Sequence, residues 1–234
     1  MSQRNSMTLS YILDRLKAHA TKRVFGIDRF ALIVLDIYRR QEDTASPYKD
    51  LYIRRLSPDD MPLVLASFPD REKVFNARFE VPCLEGWLIF VGETLIGFIW
   101  IALDDYYESD IRRMVRVPKN HMFSLDFLVA KDKRFGLAAH HAVWQVMDHY
   151  KSRGVVRCDN LVNVTNRKSL MLHTFLGSFD SLTGVNVLRI MGRPVASWAA
   201  RRPDPLIRQR RKGKPMGELP EAPAVAASEA VVHG

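Results

Sequence analysis

The sequence predicts an α/β fold of the α+β kind, in which a mixed sheet carries helices on its faces. Three observations lead to this prediction. Apolar runs rich in β-forming residues alternate with amphipathic helical segments between residues 50 and 200. The pair Gly92-Glu93 joins two of the apolar runs, which is typical of a β-hairpin. The chain has 234 residues, of which 47% are hydrophobic, enough for one sizeable core with extensions at its ends.

Residues 1–49 are predicted to form an N-terminal helical extension. Apolar residues between Leu9 and Val24 fall near helical spacing, and the helix should end at Gly26. A second apolar segment, 30–37, and a polar linker, 41–47, follow it. The helix could pack on the domain or pair with a second subunit as a homodimer. Peripheral contact of residues 1–40 with an anionic membrane surface is a third, less favoured role.

Residues 50–200 are predicted to form the main domain, with the order β-α-β-β-β-α-β-α-β. Ser57 and Pro58 are typical of a helix start, and Gly177 is typical of a helix end. The predicted strands are 51–56, 87–91, 94–103, 123–130, 155–164 and 185–191, and the later helices are 137–152 and 166–176.

Residues 201–234 are predicted to form a disordered basic tail. Seven basic residues stand against one acid between Arg201 and Lys214, and no periodic apolar face follows. Most of the net charge of +9 therefore lies outside the domain, and the domain shows no basic-aromatic stripe, so nucleic acid is a disfavoured partner. The two cysteines, Cys83 and Cys158, fit neither a disulfide framework nor metal-ligand spacing. We therefore expect a cytoplasmic protein without a metal site.

The segment from Phe127 to Ala138 carries the sharpest chemical signal. A strand runs into a short loop with Lys133, Arg134 and Gly136, and a helix follows. The first N–H groups of a helix lack partners within it and attract anions, above all phosphate. The same residues would also suit an ordinary strand-to-helix turn whose basic side chains face water.

Two motifs in register resemble those of the GNAT (GCN5-related N-acetyltransferase) superfamily. The first is Lys133-x-x-Gly136-x-Ala138, which resembles the family's pyrophosphate motif Arg/Gln-x-x-Gly-x-Gly/Ala, with Lys as a departure that keeps the charge. The second is Asn166-x-x-Ser169-x-x-Leu172-His173-x-x-x-Gly177-Ser178-Phe179, which is similar to Asn-x-x-Ala-x-x-Leu-Tyr-x-x-x-Gly-Phe. The resemblance covers the domain at 50–200.

The resemblance implies that acyl-CoA, by default acetyl-CoA, lies where strands 123–130 and 155–164 separate. The backbone at Leu128 and Val129 would pair with the pantetheine arm, and Asn166 would face the cofactor. The pyrophosphate would be held by Lys133 and by the amides of Arg134, Phe135, Gly136, Leu137 and Ala138. An amine would attack the thioester directly, and a strand N–H would polarise the carbonyl.

Asp126 and His173 are the candidate catalytic residues. Asp126 has apolar neighbours on its strand, so a half-buried carboxylate with a raised pKa could accept the ammonium proton. His173 stands where the family usually has the Tyr that protonates the thiolate, and an imidazole could replace it. The alternatives are a solvent-facing strand Asp and a helix His without a chemical role.

The predicted function is N-acyl transfer to a small-molecule or protein amine. The loop residues Asp104, Asp105, Tyr106, Tyr107, Glu108 and Asp110 would suit a cationic acceptor, although a solvated loop has the same composition. The main alternative is a non-catalytic GNAT-like module that acts as a binding or scaffold subunit. The sequence identifies neither the acceptor nor the acyl chain.

Overall fold

The computed structural model describes residues 25–39, 48–130 and 138–207. Within them the strands are β1 (Phe25–Asp36), β2 (Leu51–Arg55), β3 (Leu84–Val91), β4 (Thr94–Ala102), β5 (Tyr106–Glu108), β6 (Arg113–Val115), β7 (His121–Val129), β8 (Arg157–Asn163), β9 (Phe179–Ile190) and β10 (Arg193–Arg201). The helices are α1 (Met61–Ser67), α2 (Glu72–Phe79), α3 (Ala138–Lys151) and α4 (Arg167–Phe175). Single 3-10 turns lie at Ile37–Arg39, Pro58–Asp60 and Pro69–Arg71.

Eight strands form one mixed sheet in the order β10-β9-β1-β8-β7-β4-β3-β2. The β7 and β8 strands pair in parallel, and the other neighbouring pairs are antiparallel. The β5 and β6 strands form a separate antiparallel hairpin between β4 and β7. The predicted fold class, a mixed sheet with helices, is therefore confirmed.

Helices cover both faces of the sheet. On one face α3 packs its apolar side, including Met147, against Met122 and other strand residues. On the other face α2 places the Phe75 ring edge-on to Phe98, with ring centroids 4.8 Å apart, and also against Trp100. Phe75 and Phe98 are fully buried, so this face has a second apolar core. The sheet thus separates two cores, and an opening between its strands would connect the two sides.

Several local sequence signals produce the predicted elements. Gly92 adopts a positive φ of 57° in the turn between β3 and β4, as the hairpin requires. The Asp60 carboxylate accepts a hydrogen bond from the Ser57 amide at 2.9 Å where the first helical turn begins. Gly177 has a φ of 74° just beyond α4, which is the conformation that ends helices.

The predicted domain boundary at residue 50 is wrong, because β1 lies inside the sheet between β8 and β9. Gly26, predicted to end a helix, belongs to this strand and pairs with Arg189. Ala31 and Ile33 in the same strand are fully buried. The predicted helix between Leu9 and Val24 lies outside the described residues. Among the residues with described structure, no helix is long and apolar enough to cross a membrane.

The last part of the domain extends further than predicted. The strand predicted at 185–191 falls at the end of a longer strand, β9, which forms a hairpin with β10. The segment after Arg201 packs on the domain as far as Ile207, whose exposed fraction is 4% and which joins Ala31 and Ile33 in a cluster. The predicted start of the tail at residue 201 is therefore wrong, and its remainder lies outside the described residues.

Candidate active site

The two parallel strands β7 and β8 separate partway along their length. They pair only over four positions, from His121 with Arg157 to Ser124 with Asn160. Beyond Ser124, β7 stays paired with β4 as far as Val129, and β8 stays paired with β1. Because each strand follows its other neighbour, a V-shaped cleft opens between them.

A cavity of about 220 Å³ occupies this cleft, and we call it the cleft cavity. It is lined by the diverging parts of both strands and by one side of α4. The lining residues from these elements are Leu125, Asp126, Phe127, Asn160, Leu161, Val162, Asn163, Asn166, Ser169, Leu172 and His173. Asn166 and His173 of the second motif thus line the same cavity, as their spacing along one helix predicted.

Some of the predicted cofactor-binding residues belong to the described part of the chain, and the others do not. Leu128 and Val129 lie on the part of β7 that pairs with β4 but has left β8, so one backbone edge faces the cleft. Ala138 is the first residue of α3 and is fully buried. The other loop residues, Lys133, Arg134, Phe135, Gly136 and Leu137, lie outside the described residues. Their binding role stays a prediction.

A bulge in β7 lies at the mouth of the cleft. Trp100 pairs with Asp126 and Ile101 pairs with Ser124, so Leu125 is an extra residue opposite β4. A bulge re-aims the backbone groups around it, which is common next to active sites. The amides at this point are therefore candidates for the N–H that would polarise an acyl carbonyl.

His173 is buried in the wall of the cleft cavity, with an exposed fraction of 8%. Its Nδ1 atom lies 3.2 Å from the Ser178 hydroxyl. Burial disfavours the charged ring and lowers the pKa of His173 to about 4. The imidazole is therefore neutral at pH 7, so it can donate a hydrogen bond there but holds no second proton to release.

We expect the buried imidazole to make the fold less stable in mild acid. The unfolded chain takes up a proton near pH 6.5, whereas the folded chain does so only near its pKa of about 4. The unfolded state thus binds more protons in this window, and stability falls as the pH falls through it. At pH 5 the loss should be about 2 kcal/mol relative to pH 7.5. Urea unfolding of the wild type and of His173→Gln at both pH values measures it.

The glutamine variant keeps a polar group for Ser178 but cannot titrate. Between pH 7.5 and pH 5 the free energy of unfolding of this variant should therefore fall by about 2 kcal/mol less than that of the wild type. His121 and His149, whose pKa values are also lowered by burial, contribute equally to both proteins. Equal pH dependence of the two proteins would show that His173 is not buried as the structure has it.

Asp126 differs from the isolated carboxylate that its apolar neighbours suggested. One of its oxygens accepts hydrogen bonds from Nη1 of Arg71 and Nη1 of Arg78, each at 3.3 Å. Its side chain is 20% exposed and it lines the cleft cavity. The carboxylate therefore holds two guanidinium groups beside the cleft, and its role as a base stays a prediction.

Cys158 also lines the cleft cavity, but its thiol is not suited to attack a thioester. The residue is 5% exposed, and burial raises the pKa of the thiol well above its ordinary value. A thiol rather than a thiolate is present at neutral pH, and the thiol is the weaker nucleophile. The chemistry of the cleft thus favours direct transfer over an acyl-cysteine.

A second cavity of about 280 Å³ opens beside the first, and we call it the arginine-lined cavity. Its ionisable lining residues are Arg71, Arg78, Tyr106, Glu108, Asp110 and Asp126. Phe30, Leu125, Asp126 and Leu161 line both cavities, so the two meet at the separation of β7 and β8.

The arginines were missed from the sequence because their partner Asp126 lies 55 and 48 residues away. The acidic loop was noticed, but only part of it reaches this cavity. Asp105 instead pairs with Arg116 and accepts a hydrogen bond from the Val117 amide at 2.7 Å. Glu108 and Tyr106 lie on β5 and do line the cavity.

Comparison with known proteins finds similar solved structures but no sequence match. No known protein family profile and no curated protein sequence matches the chain. A conserved protein of unknown function from Staphylococcus epidermidis is 11% identical, with a TM-score of 0.51 over 77% of this chain and 67% of that one.

Two N-acetyltransferases are also among the structural neighbours. The GCN5-related glucosamine N-acetyltransferase region of a fungal multi-domain GH3 β-N-acetylglucosaminidase is 12% identical, with a TM-score of 0.49 over 80% of this chain and 22% of that one. A GCN5-related N-acetyltransferase from Kribbella flavida is 9% identical, with a TM-score of 0.46 over 74% of this chain and 62% of that one. The chain spans less than two thirds of either protein. At these identities the likeness concerns the fold alone.

Proposed function

We propose that this protein is an acyl-CoA-dependent N-acyltransferase that moves an acyl group, by default acetyl, to an amine. The observation that carries the proposal is the pair of parallel strands that separates after Ser124 and leaves one edge of β7 unpaired beside a cavity. An extended pantetheine arm, with its two amides, is the kind of ligand that can pair with such an edge.

The residues around the cleft fit such a donor. The edge at Leu128 and Val129 would take the pantetheine arm, and the segment 131–137 leads from there into α3. The start of α3 at Ala138 would direct helix N–H groups to the pyrophosphate, with Lys133 and Arg134 supplying charge. This arrangement would place the thioester near the bulge at Leu125.

The reaction that fits this site is direct attack by an amine on the thioester carbonyl. A C–N bond forms, the C–S bond breaks, the nitrogen of the amine loses a proton, and the departing sulfur takes one. A backbone N–H at the bulge would stabilise the developing oxyanion. Holding both substrates in one cleft would supply most of the rate advantage. The raised pKa of Cys158 supports this route, since no thiolate competes at neutral pH.

A thermal-shift measurement with acetyl-CoA tests the donor. A ligand at 100 times its Kd stabilises the fold by about 2.7 kcal/mol, which corresponds to roughly 5–10 °C for a domain of this size. No shift with millimolar acetyl-CoA would contradict the proposal. A shift without transfer to any amine would instead support the alternative, a non-catalytic GNAT-like module.

His173 is expected to assist the departure of the CoA sulfur as a hydrogen-bond donor. This role requires the tautomer in which the Ser178 hydroxyl donates to Nδ1 and the ring proton lies on Nε2. Removing one hydrogen bond to a charged group should lower kcat roughly 10- to 100-fold in His173→Phe. Acetyl-CoA affinity should hardly change, and His173→Tyr should restore much of the rate. Unchanged kcat in the Phe variant would leave His173 a structural residue.

A further inference from the structure

The arginine-lined cavity carries both signs of charge next to the cleft. Arg71 and Arg78 come from the turn before α2 and from α2 itself, Asp126 from β7, and Glu108 from β5. Three separate parts of the chain thus bring ionisable groups to one small space. Surface charge clusters seldom arise this way, because most of them lie along one helix or loop.

The two guanidinium groups keep most of their hydrogen-bonding capacity. Each uses one Nη1–H for the same oxygen of Asp126, and the structure shows no other hydrogen bond from either to a described residue. Arg78 also lies over the Trp100 ring, 5.6 Å from its centroid, which fixes its position. The carboxylates of Glu108, Asp110 and Asp126 line the same cavity, so the charge of the two arginines is balanced there. Several of their N–H groups nevertheless have no acceptor among the described residues and are available to an anion.

The cavity also presents a hydroxyl and a carboxyl from β5. Tyr106 is 4% exposed, and its hydroxyl is a hydrogen-bonding neighbour of the Glu108 carboxylate. Glu108 lies two residues along the same strand and lines the same cavity.

We propose that the arginine-lined cavity binds the acceptor, a small amine that also carries an anionic group. The ammonium faces Glu108, and the anion, such as a carboxylate, faces Arg71 and Arg78. A purely cationic amine would leave the remaining N–H groups of the two arginines without an acceptor, and a large acceptor would exceed a volume of about 280 Å³. This inference rests on the proposed function, because the cavity meets the cleft at Leu125, Asp126 and Leu161.

Glu108 is the group that takes the proton from the amine. The ammonium gives one proton to the Glu108 carboxylate, and the free amine then attacks the thioester carbonyl. The second N–H proton leaves as the C–S bond breaks, and the departing sulfur takes one. Burial raises the pKa of Glu108, a hydrogen bond from the Asp110 amide and the charge of Arg78 lower it, and the charges of Asp110 and Asp126 raise it. A base with a raised pKa holds a transferred proton more readily.

Matched acceptor pairs test the anionic group. Alanine with ethylamine, tyrosine with tyramine and lysine with cadaverine are offered to the full chain with acetyl-CoA, and thiol release is measured. Within at least one pair the acid-bearing member should have a kcat/KM about 10- to 100-fold higher, the range for a charge-assisted hydrogen bond. Equal or lower kcat/KM for the acid-bearing members, or no transfer to any of the six, would overturn the proposal.

Variants at the cavity test which residues recognise the acceptor and which residue takes its proton. Arg71→Gln should lower the ratio of kcat/KM for the acid-bearing amine to kcat/KM for its decarboxylated partner toward one. The control Lys73→Gln loses the same charge from an exposed position of α2. Glu108→Gln should lower kcat about 100-fold and remove the rise of kcat with pH that a titrating base should give the wild type. An unchanged pH profile in Glu108→Gln would overturn the role of this residue.

Acetyl-CoA binding, measured by calorimetry on each preparation, distinguishes failure of the acceptor assignment from failure of the proposed function. If acetyl-CoA binds but the acid-bearing amines are not preferred, only the acceptor assignment fails. If acetyl-CoA does not bind the wild type, the proposed function itself fails.

Discussion

Ser169→Trp should lower the affinity for acetyl-CoA by about 100-fold or more, equivalent to about 2.7 kcal/mol. Ser169 lines the cleft cavity, whose volume is about 220 Å³, so an indole at this position would fill much of the space that the donor needs. The residue lies in the first turn of α4 and is partly exposed, so the larger side chain can be accommodated without breaking a core. Calorimetric titration with acetyl-CoA measures the loss.

Met171→Trp is the matched control for this prediction. Met171 lies on the same helix but is 58% exposed and does not line the cleft cavity. The Met171→Trp substitution introduces the same side chain into α4 and should leave the affinity for acetyl-CoA unchanged. If Ser169→Trp binds acetyl-CoA as tightly as Met171→Trp does, the donor does not occupy this cleft.

Asp180→Ala should lower the free energy of unfolding by about 3 kcal/mol and the Tm by roughly 6–12 °C. The Asp180 side chain is fully buried and pairs with Arg202, which is 19% exposed. It also accepts hydrogen bonds from the amides of Leu182 at 2.9 Å and Leu206 at 2.8 Å. Without it the Arg202 guanidinium would lose its charge partner while staying largely buried, and the segment 202–207 would lose its attachment to β9.

Asp204→Ala makes the same change at an exposed position of the same segment. Its Tm should match that of the wild type, because surface substitutions of this kind have small effects. Scanning calorimetry of the three proteins gives the comparison. A Tm for Asp180→Ala within about 2 °C of the control would show that residues 202–207 do not pack on the domain as described.

The sequence predicted the elements whose signals are local. The hairpin at Gly92, the helix start at Ser57 and the helix end at Gly177 each depend on residues close in the chain. The β1 strand was not recognised as part of the domain, because its partners are distant: Phe30 pairs with Asn163 and with Val185. An apolar run by itself does not reveal which sheet it joins.

The candidate site was predicted to a similar extent. The spacing of Asn166 and His173 on one helix placed both at one cavity, and the structure agrees. The state of His173 depends on burial by residues from several elements, and this lowers its pKa in a way that spacing does not show. The two arginines that pair with Asp126 likewise come from α2 and the turn before it. From the sequence alone, an arginine at such a position is ordinarily expected to face solvent.

Amide hydrogen exchange with and without acetyl-CoA tests the central claim most directly, since it reports on the backbone edge itself. The amides of residues 125–129 that face β8 lack a strand partner there, so the pantetheine arm should slow their exchange. The hairpin of β9 and β10 should show no comparable change. Slower exchange confined to residues 125–129 and the cleft walls is the predicted result. Binding of acetyl-CoA without any change at residues 125–129 would contradict the account.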